Sequence, residues 1–261
     1  MILDDIVAYK QQEVAAAKQR MPLEELKRRA HPRSSPHRFR DALTGAAKTP
    51  ALIAELKRKS PSRGMLRERF DPISLAQQLQ DAGASALSVL TNERFFGGTL
   101  ETLHEVQAFV DIPVLRKDFI LEPYQIYEAA VHQADAVLLI VRILSDAQLA
   151  DTLRTADALG MDALVEIHTE EELARAQKAG ASVIGINHRD LGTFTMDPTL
   201  SVRLVPRIPA GKVIVAESGI QSPADVKRMR QLGVHAVLIG EALMVATDPA
   251  AKVRELFTGV W

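Results

Sequence analysis

The stretch Ala54-Glu55-Leu56-Lys57-Arg58-Lys59-Ser60-Pro61-Ser62-Arg63-Gly64, entered through Ala51, Leu52 and Ile53, decides the fold. The apolar residues Ala51–Leu56 have the length and composition of a strand buried on both faces. Glu55 and Lys57 break that run at its C-terminal end. Alternate residues of a strand share a face, so these two charges point the same way. If the strand lines a barrel, they point into its mouth. Ser60-Pro61-Ser62 and Gly64 then supply a turn, and the cations Lys57-Arg58-Lys59 beside Ser60 suit an anion such as a phosphate.

Outward from this stretch one unit repeats. Further strands are predicted over residues 86–90, 113–116, 136–141, 162–166, 182–187, 212–216 and 236–239. Amphipathic helices are predicted near 72–81, 100–109, 122–132, 145–159, 170–178, 198–204, 222–232 and 250–257. Asp71 and Pro72 have the residue types of an N-cap and a first helical position. Gly83, Gly180 and Gly233 sit where helices need a left-handed end before the next strand. Counting the opening strand, there are eight strand–helix units, the number in a (β/α)8 TIM barrel. Short connections and no break in composition predict one domain over 1–261. A doubly wound open sheet would need a glycine-rich turn after the first strand, and Lys57-Arg58-Lys59-Ser60 is not one. Residues 1–48 contain no predicted strand. Two helices, the second starting near Leu23 after Pro22, and a break at His31–Pro36 make them an N-terminal helical extension that covers the site or plugs one end. A lid predicts that deleting 1–48 raises the Michaelis constant far more than it lowers the melting temperature.

Composition narrows the function. The net charge of −1 over 261 residues gives no sign of a nucleic-acid partner. The absence of cysteine excludes disulfides, thiolate metal sites and a cysteine nucleophile. No apolar run is long enough to span a bilayer, and the acidic N-terminus does not resemble a signal peptide. A cytoplasmic protein with no membrane partner is expected.

In a barrel of this kind the chemistry sits at the C-terminal ends of the strands. Those ends read Glu55 and Lys57, Arg116-Lys117-Asp118-Phe119, Glu166-Ile167-His168, Asn187-His188-Arg189-Asp190, Glu217-Ser218-Gly219 and Gly240-Glu241. Desolvating so many polar groups at one mouth is costly unless they work together. Ser218-Gly219 and Gly240, which opens a short turn Ala242-Leu243-Met244, have the position and residue types of a phosphate cradle. Asp118 falls on the face opposite Lys117 by alternation, leaving that lysine free. Of the seven histidines, His168 and His188 lie near strand ends. No pair has metal-ligand spacing, so they are expected at the rim or behind the site, with no metal.

These blocks resemble indole-3-glycerol-phosphate synthases. The similarity covers the chain from its first helices to its last, with Glu55–Ser62, Lys117–Phe119, Glu166–His168, Gly185–Leu191 and Ala216–Ile220 in order. The resemblance implies closure of the indole ring in tryptophan biosynthesis. The substrate would be 1-(2-carboxyphenylamino)-1-deoxyribulose 5-phosphate and the products indole-3-glycerol phosphate, carbon dioxide and water, with no cofactor. It implies that Lys117 is the general acid, that Lys57 binds the substrate carboxylate and assists dehydration, and that Glu55 and Glu166 handle protons. Asn187 and Arg189 would orient the anthranilate end, Glu217 and Ser218 the sugar, and Ser60, Gly219 and Gly240 the phosphate. Phe96, Phe119, Leu138 and Leu191 would wall the aromatic ring. Glu241 stands where some members carry a small hydroxyl residue; its amide is expected to face the phosphate and its side chain to turn away. A monomer acting on a small phosphorylated molecule is expected, and no second barrel is expected beyond Trp261. Two other readings use the same residues: a Schiff-base aldolase with Lys117 as nucleophile, and a phosphosugar-binding barrel without turnover.

Overall fold

The computed structural model describes residues 2–261. Eight parallel strands close into a barrel: β1 (Ala51–Leu56), β2 (Ala86–Leu90), β3 (Val114–Lys117), β4 (Ala136–Ile140), β5 (Asp162–Ile167), β6 (Val183–Asn187), β7 (Val213–Glu217) and β8 (Ala236–Ile239). Each strand pairs with its neighbours in sequence, and β1 closes the ring on β8 with Ala51 opposite Ala236. This is the expected (β/α)8 barrel. No helix among the described residues is long and apolar enough to cross a membrane.

The helices on the outside lie within a residue or two of the stretches expected from periodicity. Their ends are fixed by local chemistry. Asp71 accepts from the Ser74 amide and Pro72 opens the next helix. Ser222 and Asp225 form a capping box. Gly83, Gly180 and Gly233 have φ of +105°, +89° and +79°, the left-handed ends anticipated. The sequence reading missed a two-residue hairpin, Lys59–Ser60 against Gly64–Met65, and a single-turn helix, Glu93–Phe96. Both are too short to leave a periodic signal.

Outward strand residues such as Leu52, Leu87, Val137 and Val165 form the main core with the helices. Inward residues such as Ile53, Ala86, Leu115, Ala136 and Leu164 form a second core inside the barrel. Nothing in the barrel wall closes that inner core at its ends.

The N-terminal extension does so at both ends. It folds as α1 (Ile2–Arg20), α2 (Leu23–Arg29) and α3 (Arg38–Thr44). From α3, Phe39 and Leu43 enter the inner core, 0% and 1% exposed. This helix is held at the starts of the strands. The Arg40 amide donates to Asp162 Oδ2 at 2.8 Å, and Arg38 and Arg33 pair with Asp135, just before β4. From α1, Leu3 and Ile6 join the same core from the opposite end. Lys10 is 1% exposed and pairs with Asp118 at 2.8 Å, immediately after β3. Lid and plug are therefore separate helices of one segment, and the expectation of a lid over the whole of 1–48 is corrected.

Phe39→Ala should lower the unfolding free energy by about 3–5 kcal/mol, the cost of emptying a filled aromatic site, while leaving the Michaelis constant near that of the parent. Deleting residues 1–20 should do the reverse, raising the Michaelis constant with a smaller loss of stability. Urea unfolding and steady-state kinetics on the two variants test this division; equal behaviour would refute it.

Candidate active site

The inward files of the strands carry small and apolar residues for most of their length, then turn polar at the last inward position. Ala51 and Ile53 lead to Glu55, Leu115 to Lys117, Leu164 to Glu166, and Val213 and Val215 to Glu217. Strand register sets these side chains in one tier, with Glu166 beside Gly185 and Asn187 beside Glu217. Glycine makes the tier possible at two points. A Cβ on Gly185 would collide with Glu217 Oε1, and one on Gly240 would collide with Glu55 Oε1. Gly240 thus leaves room for a carboxylate, a use that its place beside the proposed phosphate loop did not suggest.

Lys117 is the centre of the tier. Its ammonium donates to Glu217 Oε2 and, at 3.3 Å, to Glu166 Oε2. Lys57 donates to Glu55 Oε1 at 2.6 Å. Burial works against the charge on Lys117, but Glu217, Glu166 and Glu55 outweigh it and hold the lysine protonated, well above its usual range. Burial pushes the Glu55 carboxyl up, yet Lys57 and Lys117 together bring it below the ordinary value. Glu217 goes the other way. Burial, with repulsion from Glu166 and Glu55, outweighs Lys117 and pushes it up to about 7. Three carboxylates face two ammonium groups here, so one proton more is held at Glu217 than an exposed site would keep.

All the candidate residues line one cavity of about 420 Å³ at the C-terminal mouth. Phe96 and Phe119 stand with ring centroids 6.1 Å apart, and Leu138 and Leu191 continue this apolar wall. Ser60, Ser218, Gly219 and Gly240 line the same cavity. Ser218 and Gly219 have φ of +64° and +75°, successive left-handed residues in one tight loop. Asn187 Oδ1 accepts from the Arg189 amide at 3.0 Å, which ties the strand end to the loop that follows.

Glu241 has partners that its place in the sequence did not announce. It lies at the cavity, with Oε1 3.0 Å from Arg63 Nη2 and Oε2 3.3 Å from Arg189 Nη2. Two guanidinium groups draw the carboxylate in and offset its charge. The histidines take the second of the two places expected for them, behind the site. His188 is 3% exposed, with its ring fixed between the Ser218 carbonyl and Ser201 Oγ, away from the mouth. His168 is 8% exposed and lies behind Glu166. Neither is a rim residue.

Several lining residues escaped the sequence reading. Leu3 and Ile6 come from the extension, Phe194 from the loop after β6, and Arg63 from the hairpin loop. Lys10 carried no sequence signal, because a lysine on an amphipathic helix reads as solvent-facing until Asp118 is found beneath it. Asp118 itself points away from Lys117, as alternation required, and also pairs with Arg116 at 3.1 Å.

A closed (β/α)8 barrel with a lysine–glutamate tier at its C-terminal mouth defines a barrel enzyme of small-molecule metabolism. Solved barrels share this fold. They include a 3-hexulose-6-phosphate synthase (TM-score 0.62, 18% identity, covering 81% of this chain and 100% of that one) and KGPDC from Streptococcus mutans (TM-score 0.63, 15% identity, 81% and 99%). The family model for indole-3-glycerol phosphate synthase matches residues 3–256. Curated proteins of that name are 48% identical over 259 residues in Mycolicibacterium smegmatis, covering 98% of this chain and 94% of that one, and 46% identical over 262 residues in Carboxydothermus hydrogenoformans, covering 98% and 99%. The chain belongs to the indole-3-glycerol phosphate synthase family.

Glu217 has a measurable consequence. Between its ordinary value of 4.5 and about 7 the unfolded chain loses a proton that the folded chain keeps, so this group lowers stability progressively as pH rises through that window. The fall in melting temperature from pH 5 to pH 7.5 should be shallower in Glu217→Gln than in the parent. Parallel curves would show that Glu217 is not the group holding the proton.

Proposed function

We propose that the chain converts 1-(2-carboxyphenylamino)-1-deoxyribulose 5-phosphate to indole-3-glycerol phosphate, carbon dioxide and water, as a carboxy-lyase of tryptophan biosynthesis. It would act as a cytoplasmic monomer on its small phosphorylated substrate, without a cofactor. The observation that carries the mechanism is the placement of the Lys117 side-chain nitrogen between Glu217 and Glu166 at the end of β3, where these carboxylates favour its protonated form.

The reaction begins when the ring carbon bearing the substrate carboxylate attacks the ribulose carbonyl. The carbonyl oxygen gains negative charge as the bond forms, and its basicity rises steeply. Lys117 is a poor acid toward a carbonyl but a good one toward an alkoxide, so its proton moves as charge develops, where the help lowers the barrier. Glu217, pushed up to about 7, is placed to return a proton to the lysine. Lys57 meets the substrate carboxylate. That carboxylate leaves as carbon dioxide once the ring carbon is tetrahedral and the neighbouring iminium accepts the electron pair. That loss restores the benzene ring; Lys57 then protonates the new hydroxyl as it leaves as water, and Glu55 or Glu166 removes the proton from the adjacent carbon beside the nitrogen, which completes the indole. Phe96, Phe119, Leu138 and Leu191 clasp the aromatic ring. Asn187, Arg189 and Ser218 orient the chain, and Ser60, Gly219 and Gly240 face the phosphate. Glu241 tempers the arginines beside it.

A Schiff-base aldolase needs Lys117 unprotonated, and the surrounding carboxylates oppose that. The purified chain should form the fluorescent indole product from the substrate. Lys117→Ala should lower turnover roughly 10²–10⁴-fold, the scale of a positioned proton donor, with substrate binding retained. Borohydride and substrate together should leave no mass adduct on Lys117; an adduct, or parental turnover by the alanine variant, would overturn the assignment.

The phosphate end makes a separate prediction. Gly219→Asn keeps a residue tolerant of positive φ, whereas Gly219→Asp adds a carboxylate facing the dianion. The aspartate variant should raise the Michaelis constant well beyond the asparagine variant, and inorganic phosphate should compete with substrate in the parent. Equal constants in the two variants would move the phosphate elsewhere.

A further inference from the structure

His168 follows β5 by one residue and has no part in the mechanism above. It is buried, and both of its ring nitrogens face carboxylates. Nδ1 lies 3.3 Å from Glu172 Oε2, and Nε2 lies 3.5 Å from Glu166 Oε1. Neither His168 Nε2 nor Glu166 Oε1 has a hydrogen-bond partner, so the two buried atoms face each other at ion-pair distance only. Glu172 Oε2 also accepts from the His168 backbone amide at 2.6 Å, so the same oxygen is held against both the backbone and the ring. Glu172 is anchored in turn, with Arg142 Nε 3.0 Å from its Oε1 and Arg142 Nη1 2.6 Å from Asp190 Oδ2.

A neutral imidazole has one N–H and one lone pair. In either tautomer a lone pair here would face a carboxylate oxygen. Only the doubly protonated ring satisfies both sides.

We propose that His168 is a positioning residue for Glu166, a buried imidazolium that holds the carboxylate's Oε1 and so keeps Oε2 directed at Lys117. It acts through Glu166, not on substrate. The charged and titratable groups around the ring are Glu166 on β5, Glu172 on the following helix (Glu170–Lys178) and Arg142 after β4, with Lys117 on the far side of Glu166. Burial lowers the affinity of the ring for its second proton, but Glu172 and Glu166 outweigh burial and Arg142, so the balance favours the proton. The imidazolium, and the Glu166 geometry it fixes, are therefore present below the ordinary histidine value and are lost as pH rises through the raised one.

The kinetic part of the test rests on the activity proposed above; the spectroscopic part does not. His168→Ala removes the contact to Glu166. His168→Gln places a side-chain amide near the position of Nε2, where it can donate without titrating. The alanine variant should lose about 10–100-fold in kcat, the scale seen when a partner orienting an active-site ligand is removed, with KM within about threefold of the parent. The glutamine variant should recover most of that loss, and its kcat should lack the decline at higher pH that the imidazolium gives the parent. Alanine at the parental kcat, or a loss that glutamine does not relieve, overturns the proposal. Imidazole NMR on the intact parent guards against variants that fold poorly. The His168 signals, identified by their loss in His168→Gln, should titrate above 6.5, and Glu166→Gln should shift that midpoint downward. A midpoint at or below 6.5, or one indifferent to Glu166→Gln, overturns the proposal even if the chain makes the expected product. Absence of product from the parent with the expected titration would instead sink the activity and leave the ion pair standing.

Discussion

The structure depends on placing Lys117 and its carboxylates out of water at the top of a closed barrel. Separated, each such charge would cost several kcal/mol to bury. Together, Glu217 and Glu166 hold Lys117, Lys57 holds Glu55, and Glu217 keeps a proton near neutrality. The arrangement needs a rigid frame. Eight parallel strands supply it, since a barrel has no edge that frays and its last inward positions converge on one space. The same frame needs small residues beside large ones. Gly185 and Gly240 leave the volumes that Glu217 and Glu55 occupy, so two residues with no side chain set the spacing of the charged ones.

Much of this was legible because parallel strands between amphipathic helices produce a strong, repeating signal. The polar residue at each strand end also falls on the inward parity, which alternation alone predicts. Glu55, Lys117, Glu166, Asn187 and Glu217 could be assigned to one mouth without coordinates. What parity cannot give is distance between strands remote in sequence. The pairing of Lys117 with Glu217 spans 100 residues, and that of Lys10 with Asp118 spans 108. The first was foreseeable as convergence and the second was not. The partners of Glu241 were out of reach for the same reason. Its neighbours Arg63 and Arg189 come from loops after two other strands, and a carboxylate considered alone is expected to avoid an anion site.

The extension shows how one segment comes to serve two ends of a barrel. The inner core is a column of apolar side chains that the strands enclose but do not cap. Water at either end would reach Ala51 and Ala86 below, or Leu138 and Ile140 above. Phe39 and Leu43 close the lower end with a fully buried helix face, a contact whose value is packing. Leu3 and Ile6 close the upper end only in part, because the cavity must admit a ligand. The anchor there is an ion pair, Lys10 with Asp118, set one residue beyond the catalytic candidate Lys117.

That placement ties the lid to the chemistry. Asp118 receives Lys10, Arg116 and Thr91 Oγ1 together, the last at 2.8 Å, and its pKa is held down against burial by the two cations. A carboxylate fixed from three sides fixes its own backbone, and the peptide it fixes carries Lys117. The lysine therefore meets its partners from a support braced by the covering helix on one side and by the barrel wall on the other. Proton transfer to a developing alkoxide rewards such rigidity, because a donor displaced by an ångström loses most of its advantage. The same demand accounts for a charge facing each oxygen of Glu166, with Lys117 3.3 Å from Oε2 and the His168 ring 3.5 Å from Oε1. Charges in this site are positioned by other charges, and the apolar barrel supplies the low-dielectric surroundings in which small distances decide which of them keeps the proton.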